Sequence, residues 1–191
     1  MKNKSHYLIC LLAAGLMLLA GCATHTASVP VPSGFLTRYD QLRKVDDTTS
    51  RYVDAARLRT CREFKIQPVQ VLVTSFNGSP LDADGQMAAE YVSMALVKAL
   101  ADRYPIMANP GPGVGVLRLA ITSADKKGTQ LALTLEGEVL DPASNAQVAA
   151  LMKSEISGQH DSNWSYRLTF RQMATDWAAD FRRALDEVQD R

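Results

Sequence analysis

Cys22 is the residue whose side-chain chemistry the sequence indicates most clearly. It directly follows an apolar run near the start of the chain. Lys2 and Lys4 precede that run and small residues close it, as in a secretory signal peptide before its cleavage site. The run is shorter than the roughly 20 apolar residues that a membrane-spanning helix needs. The sequence therefore predicts a signal peptide over residues 1–21 and a modifiable thiol at the new N-terminus.

The four residues Leu19-Ala20-Gly21-Cys22 resemble the lipobox of bacterial lipoproteins. This resemblance implies cleavage before Cys22, a diacylglycerol on its thiol and usually a third acyl chain on its amino group. Two or three chains anchor a protein stably, whereas one chain binds reversibly. In enterobacterial lipoproteins an Asp after the cysteine marks inner-membrane retention. Ala23 at that place implies the outer membrane, facing the periplasm. An ordinary signal peptide with a chance cysteine, or an uncleaved anchor, is the alternative.

The rest of the chain has the composition of an ordinary globular protein. Residues 22–33 contain two prolines and no periodicity, which is typical of a flexible tether. Residues 34–191 have the length of a single domain with one core. The formal net charge of +1 falls to about −1 when Lys2 and Lys4 leave with the leader. This balance gives no reason to expect a nucleic-acid partner.

Few side chains offer catalytic or metal-binding chemistry. His160 is the only histidine of the predicted domain, and zinc sites need three or four His or Cys ligands. Once Cys22 is acylated and Cys10 removed, Cys61 has no cysteine partner, and we expect it to be a small buried apolar residue. The glycines at 111, 113 and 115 precede a strand, which predicts a tight turn and not a phosphate loop. We expect no metal and no cofactor.

The carboxylates Glu136 and Glu138 are a conceivable catalytic pair, because alternation places them on one strand face about 7 Å apart. Together with Asp141 they are the candidate acids of an envelope hydrolase. Neighbouring acids on a solvent-exposed strand face are common, however, and no pattern of aromatic subsites accompanies them. We therefore assign no catalytic residue and keep the hydrolase as an alternative.

Hydrophobic periodicity predicts an α+β fold, in the order β-α-β-β-β-α. The expected sheet is four-stranded and mainly antiparallel, with both long helices on one face and the other face exposed to solvent. The last helix carries the strongest amphipathic pattern, with Thr169 and Gln172 as a capping box. The predicted elements are strand 64–76, helix 84–103, strands 116–124, 130–140 and 147–158, and a helix that starts between 164 and 169.

The segment 46–63 is polar and turn-prone, with a short helix expected from Asp54. Acidic residues offset its arginines, so we interpret them as a solvated, partly paired face. These arginines are Arg51, Arg57, Arg59 and Arg62.

The region after the tether has apolar residues at helical spacing, and we expect this stripe to dock against the domain. The chain here resembles a family of proteobacterial lipoproteins of unknown function that carry Ser-Gly-Phe-Leu-x-x-Tyr-x-x-Leu after the lipid cysteine. The matching residues are Ser33, Gly34, Phe35, Leu36, Tyr39 and Leu42. Further matches occur at Pro68-Val69, at Pro110 to Gly113 and at Trp177-Ala178. The resemblance implies no activity and no catalytic residues.

Together these features favour a non-catalytic envelope lipoprotein that binds a protein or the cell wall. The membrane itself is the first partner, through the acyl chains on Cys22. Besides the hydrolase, a second alternative is a lipoprotein that oligomerises through an exposed strand edge, as part of a secretion or assembly complex.

Overall fold

The fold is built on three long strands at the places where alternation predicts them. A computed structural model describes residues 31–73, 75–76, 79–80, 83–127, 130–157 and 163–190. The signal peptide, Cys22 and most of the tether lie outside these residues. The strands are β1 Arg43–Lys44, β2 Thr49–Val53, β3 Glu63–Ile66, β4 Gln70–Val71, β5 Ser75–Phe76, β6 Ser79–Pro80, β7 Val114–Lys127, β8 Gln130–Leu140 and β9 Gln147–Ile156. The helices are α1 Ala55–Leu58, α2 Ala83–Leu100 and α3 Asn163–Gln189.

The main sheet has seven strands and is mixed, which corrects the prediction of a four-stranded, mainly antiparallel sheet. Its order is β1-β2-β9-β8-β7-β3, and β4 also pairs with β7. Strands β3 and β4 run parallel to β7, whereas the other pairs are antiparallel. The parallel pairing arises because α2 carries the chain from β3 and β4 back to the start of β7, as a crossover connection does.

The predictions for the strands at both edges of the sheet were wrong for local reasons. Strand β2, whose residues are half-buried, lies in the segment 46–63 that was interpreted as turn-prone. Strand β1 precedes that segment, and its two basic residues are exposed at the sheet edge. The predicted strand 64–76 is three short strands, and Pro68 lies in the gap between β3 and β4. The short helix α1 does begin after Asp54, whose carboxylate accepts a hydrogen bond from the Arg57 amide as an N-cap.

Both long helices pack on one face of the sheet, as predicted. They share a buried apolar cluster with β7 and β8 that includes Val92, Leu96, Trp177, Leu185, Leu119 and Leu135. Each such side chain contributes about 1.5–3 kcal/mol when fully buried. Helix α3 begins at Asn163, so Thr169 lies inside the helix and the predicted capping box at Thr169 and Gln172 is wrong.

The opposite face of the sheet is also covered, contrary to the expectation of a solvent-exposed face. Residues 33–42, which we call the strap, cross it as a series of bends and turns and not as a helix. Phe35 and Leu36 are buried there against Ala120 of β7 and Ala150 of β9. The apolar stripe therefore docks as expected, but in an irregular conformation.

Candidate functional site: the clamp between strap and sheet

Glu136 and Glu138 are the central residues of the strap-covered face. Strand alternation turns them away from Leu135 and Val139, which face the helices. Both glutamates are 0% exposed to solvent. A buried carboxylate is costly unless hydrogen bonds or a cation compensate it, so the strap must supply much of that compensation.

The strap binds Glu136 through two hydrogen bonds. The backbone amide of Ser33 donates to Oε1 at 3.2 Å, and the hydroxyl of Tyr39 donates to Oε2 at 2.5 Å. The same hydroxyl accepts hydrogen bonds from the amides of Gly34 and Leu36, at 3.0 and 3.1 Å. Tyr39 therefore closes the strap on itself and fastens it to β8.

Glu138 holds the middle of the strap and is paired with a cation. Thr37 donates to it from its amide at 2.9 Å and from its hydroxyl at 3.1 Å. Arg118, opposite Glu138 on β7, donates from Nη1 to Oε1 at 3.0 Å. Hydrogen bonds that involve a charged group are worth about 1.5–3 kcal/mol each, so the bonds to Glu138 contribute substantially to holding the strap on the sheet.

Apolar contacts complete the attachment. The guanidinium carbon of Arg118 lies 5.0 Å from the ring centre of Phe35, within cation–π range. Tyr39, Leu42 and Tyr52 pack around the cluster formed with Ala120 and Ala150. We call these contacts of the strap with Glu136, Glu138 and Arg118 the clamp. Gly34 has a φ of +90°, a conformation that favours glycine and lets the chain turn into the clamp.

These contacts give the two glutamates a structural role in this arrangement, because a substrate has no access to either carboxylate. Asp141, the third candidate acid, lies in the turn after β8. It accepts hydrogen bonds from the hydroxyl of Ser144 at 2.6 Å and the amide of Ala143 at 3.2 Å. These bonds hold the pKa of Asp141 below its usual range. The three acids therefore do not present the exposed acid pair that a hydrolase uses.

The remaining candidate residues are structural in the described part of the chain. Cys61 is buried, and burial raises the pKa of its thiol. The predicted partly paired face has Arg51 3.6 Å from Glu187 and Arg57 3.6 Å from Asp54. Arg59 donates to the backbone oxygen of Val188 near the end of α3.

Two candidate residues, Cys22 and His160, lie outside the residues that the structure describes. Within the described ranges, no three His, Cys, Asp or Glu side chains are grouped as metal ligands. In the same ranges, no helix combines the length and the apolar character needed to cross a bilayer.

Residues 31–134, from just before the strap to the middle of β8, match a described protein family. The chain belongs to DUF3313, a family of proteins of unknown function. The match includes the strap. Whether Ser-Gly-Phe-Leu-x-x-Tyr-x-x-Leu is a signature of DUF3313 stays a prediction.

Two Escherichia coli relatives agree with this family. The chain is 26% identical over 205 residues to the uncharacterized lipoprotein YdcL of Escherichia coli strain K12, an alignment that covers 87% of this chain and 90% of that protein. YdcL of strain O157:H7 gives the same values. These findings confirm the predicted class, a bacterial lipoprotein family of unknown function, and indicate no catalytic family.

The fold resembles that of a solved bacterial protein. A dodecamer of a PelC point variant from Paraburkholderia phytofirmans aligns with a TM-score of 0.50 and 14% identity, over 72% of this chain and 95% of that chain. At this identity the likeness concerns the fold alone, and it agrees with a mixed α+β architecture.

Sequence reasoning missed the clamp although its components were visible. Two glutamates lie on the face of β8 opposite its apolar residues, and Arg118 and Ala120 stand at the matching positions of β7. Small residues at Ala120 and Ala150 leave space above the sheet. The strap cannot be paired with these positions from local periodicity, because about 100 residues separate it from β8 in the chain.

Proposed function

We propose that this DUF3313 protein is a lipid-anchored lipoprotein of the outer membrane that faces the periplasm and binds a protein or cell-wall partner without catalysing a reaction. Acyl chains on Cys22 attach it to the membrane. Residues 22–32 then link that anchor to the strap, and the clamp at Glu136 and Glu138 joins the strap to the sheet.

The observation that carries this proposal is the burial of two carboxylates under the segment that directly follows the tether. At the place where a hydrolase would need exposed acids, the chain has a fully covered attachment point. Because both glutamates bond to strap residues 33–39, a pull on the tether reaches the centre of the sheet and not a frayed terminus. The lipoprotein names of its relatives support the anchor.

Cell fractionation of a Cys22→Ser variant tests the anchor. Without the thiol there is no site for the diacylglycerol, so we expect the full chain to move from the membrane fraction to the soluble fraction. Cys61→Ala is the matched control, since that buried thiol lies in the folded part and its loss should leave the protein with the membrane. Membrane retention of the Cys22→Ser protein contradicts the proposal.

A density gradient distinguishes the two membranes. The wild-type protein should sediment with outer-membrane markers, and Ala23→Asp should shift it toward the inner membrane if the enterobacterial sorting rule applies to this host. A wild-type protein found with inner-membrane markers contradicts the outer-membrane assignment but not the lipid anchor.

A second candidate function is assembly of several copies into a ring or pore. Its support is the PelC dodecamer, whose fold this chain shares. The exposed two-residue strand β1 at the edge of the sheet is a place where another chain could pair. Light scattering on the full-length protein over a wide concentration range tests this candidate, and a monomer at every concentration contradicts it.

A further inference from the structure

Helices α2 and α3 pack side by side, and a groove opens between them on the side away from the sheet. Their C-terminal ends are joined by ion pairs between Arg103 and Asp190 and between Arg182 and Asp102. The hydroxyl of Tyr104 also donates to Asp186 at 2.6 Å. The groove is lined by residues between 91 and 98 of α2 and between 168 and 175 of α3, and it has a volume of about 820 Å³.

Apolar side chains from both helices line part of the groove, and the polar residues Thr169, Gln172 and Thr175 of α3 also line it. Tyr91, Met94 and Ala95 line it from α2, and Leu168 faces them from α3. Met94 is 68% exposed and Leu168 is 45% exposed, high values for large apolar side chains. Scattered exposed apolar residues are ordinary, but these two share one concave surface, which is typical of an interaction site.

The charges of the groove have one sign. Its charged lining residues, as far as the structure describes them, are Lys98 on α2 and Arg171 on α3. They stand on opposite helices, so each wall of the groove carries a cation beside its apolar residues. Complementarity therefore favours an occupant with an apolar stripe and acidic residues on either side of it.

The volume indicates the size of that occupant. A helix with side chains is about 10–12 Å wide and rises 5.4 Å per turn, so three turns half-embedded in a groove fill roughly 650–900 Å³. This range includes the volume of the groove. An amphipathic helix laid into an apolar groove is also a common mode of recognition.

We propose that the α2–α3 groove is the partner-binding surface and that its occupant is an acidic amphipathic helix of another protein. This inference rests on the proposed partner-binding function and names the class of partner. The groove and the strap lie on opposite faces of the sheet. A partner can therefore occupy the groove without contact with the clamp.

Fluorescence anisotropy with a synthetic helix tests the groove directly. The probe is a labelled peptide of about 18 residues, roughly five turns, with leucines on one face and glutamates beside them. This peptide is titrated with the full-length protein, purified in the form in which cells make it. We expect saturable binding, and binding about tenfold weaker or worse for the same peptide with lysines in place of glutamates.

Matched variants locate the site. Met94→Glu and Leu168→Glu should abolish binding, while Val97→Glu should retain it, because Val97 is 40% exposed on α2 but does not line the groove. The double variant Lys98→Glu/Arg171→Glu should reverse the preference and bind the lysine peptide. Circular dichroism confirms that each variant is folded.

Four results overturn the inference. These are equal binding of both peptides, binding that survives Met94→Glu, Met94-dependent binding to phosphatidylglycerol vesicles, and Met94-dependent self-association. The last two would identify a membrane surface or a second copy as the occupant. None of these results affects the membrane attachment measured by fractionation of Cys22→Ser, so failure of the groove and failure of the anchor are distinguishable.

Discussion

The hydroxyl of Tyr39 donates a hydrogen bond to Oε2 of Glu136 at 2.5 Å, and the two residues lie 97 positions apart in the chain. This contact joins the segment after the tether to the central strand β8. It also places a hydrogen-bond donor on a carboxylate that solvent does not reach. The stability of the fold should therefore depend on the strap, although local sequence patterns show the strap only as a segment near the start of the folded region.

Tyr39→Phe should destabilise the protein although the ring remains. The variant removes the hydroxyl that donates to Glu136 and accepts from Gly34 and Leu36. Leaving a buried carboxylate short of a donor costs about 2–3 kcal/mol. Urea unfolding measures the change, and hydrogen exchange should show faster exchange of the strap amides.

Tyr52→Phe is the control for that experiment, since Tyr52 packs against the same cluster and the described contacts give its hydroxyl no hydrogen bond. We expect a change within about 0.5 kcal/mol. If Tyr39→Phe is as mild as Tyr52→Phe, the strap does not depend on the Glu136 contact.

Arg118 and Glu138 should show strong energetic coupling. Arg118→Met keeps an unbranched chain over Phe35 but leaves the fully buried Glu138 without its cation. Glu138→Gln removes the charge and keeps the shape, so the double variant should lose much less than the sum of the single variants. A double-mutant cycle measured by urea unfolding should give a coupling of about 1–3 kcal/mol. A coupling within error of zero contradicts the assigned pair.

Much of the fold was predictable because its central elements carry strong local patterns. The six apolar residues of α3 predicted from spacing, Phe170, Met173, Trp177, Phe181, Leu185 and Val188, are all buried. Strand β8 has the predicted bounds. In these elements the periodicity of the sequence matches the geometry of one buried face.

The parts that were not predictable depend on contacts between distant residues. Strands β1 and β2 are too short and polar to show a pattern, and β2 exists because β9 provides a partner along Thr49–Val53. Glu136 and Glu138 indicated a solvent-exposed face because burial of acids is rare. Their burial depends on donors from the strap, which only the folded chain brings to them.

Gly115→Ala should destabilise the start of β7. An added Cβ would lie 2.9 Å from Cγ1 of Val139 and 3.0 Å from Cε1 of Phe64, and Phe64 is fully buried. Overpacking of this kind costs about 1–3 kcal/mol. Gly111→Ala is the matched control, since its Cβ would meet only Val114 at 3.9 Å. Thermal unfolding should separate the two variants, and equal melting temperatures would contradict this packing.

Tyr104 should make the protein sensitive to alkaline pH. Burial, together with its hydrogen bond to Asp186, raises the pKa of the Tyr104 hydroxyl above its ordinary value of 10.0. In the unfolded chain the phenol ionises near that value, whereas in the folded protein it stays protonated. Its contribution is therefore fully present below about pH 10 and is lost as the pH rises toward the higher folded value.

Urea unfolding at a series of pH values compares wild type with Tyr104→Phe. At neutral pH the variant should lose about 1.5–3 kcal/mol, the value of a hydrogen bond to a charged carboxylate. Between about pH 9.5 and 11 the wild type should lose stability faster than the variant, so the difference narrows, because only the wild type has this phenol to ionise on unfolding. A constant difference across that interval would show that Tyr104 ionises equally in both states.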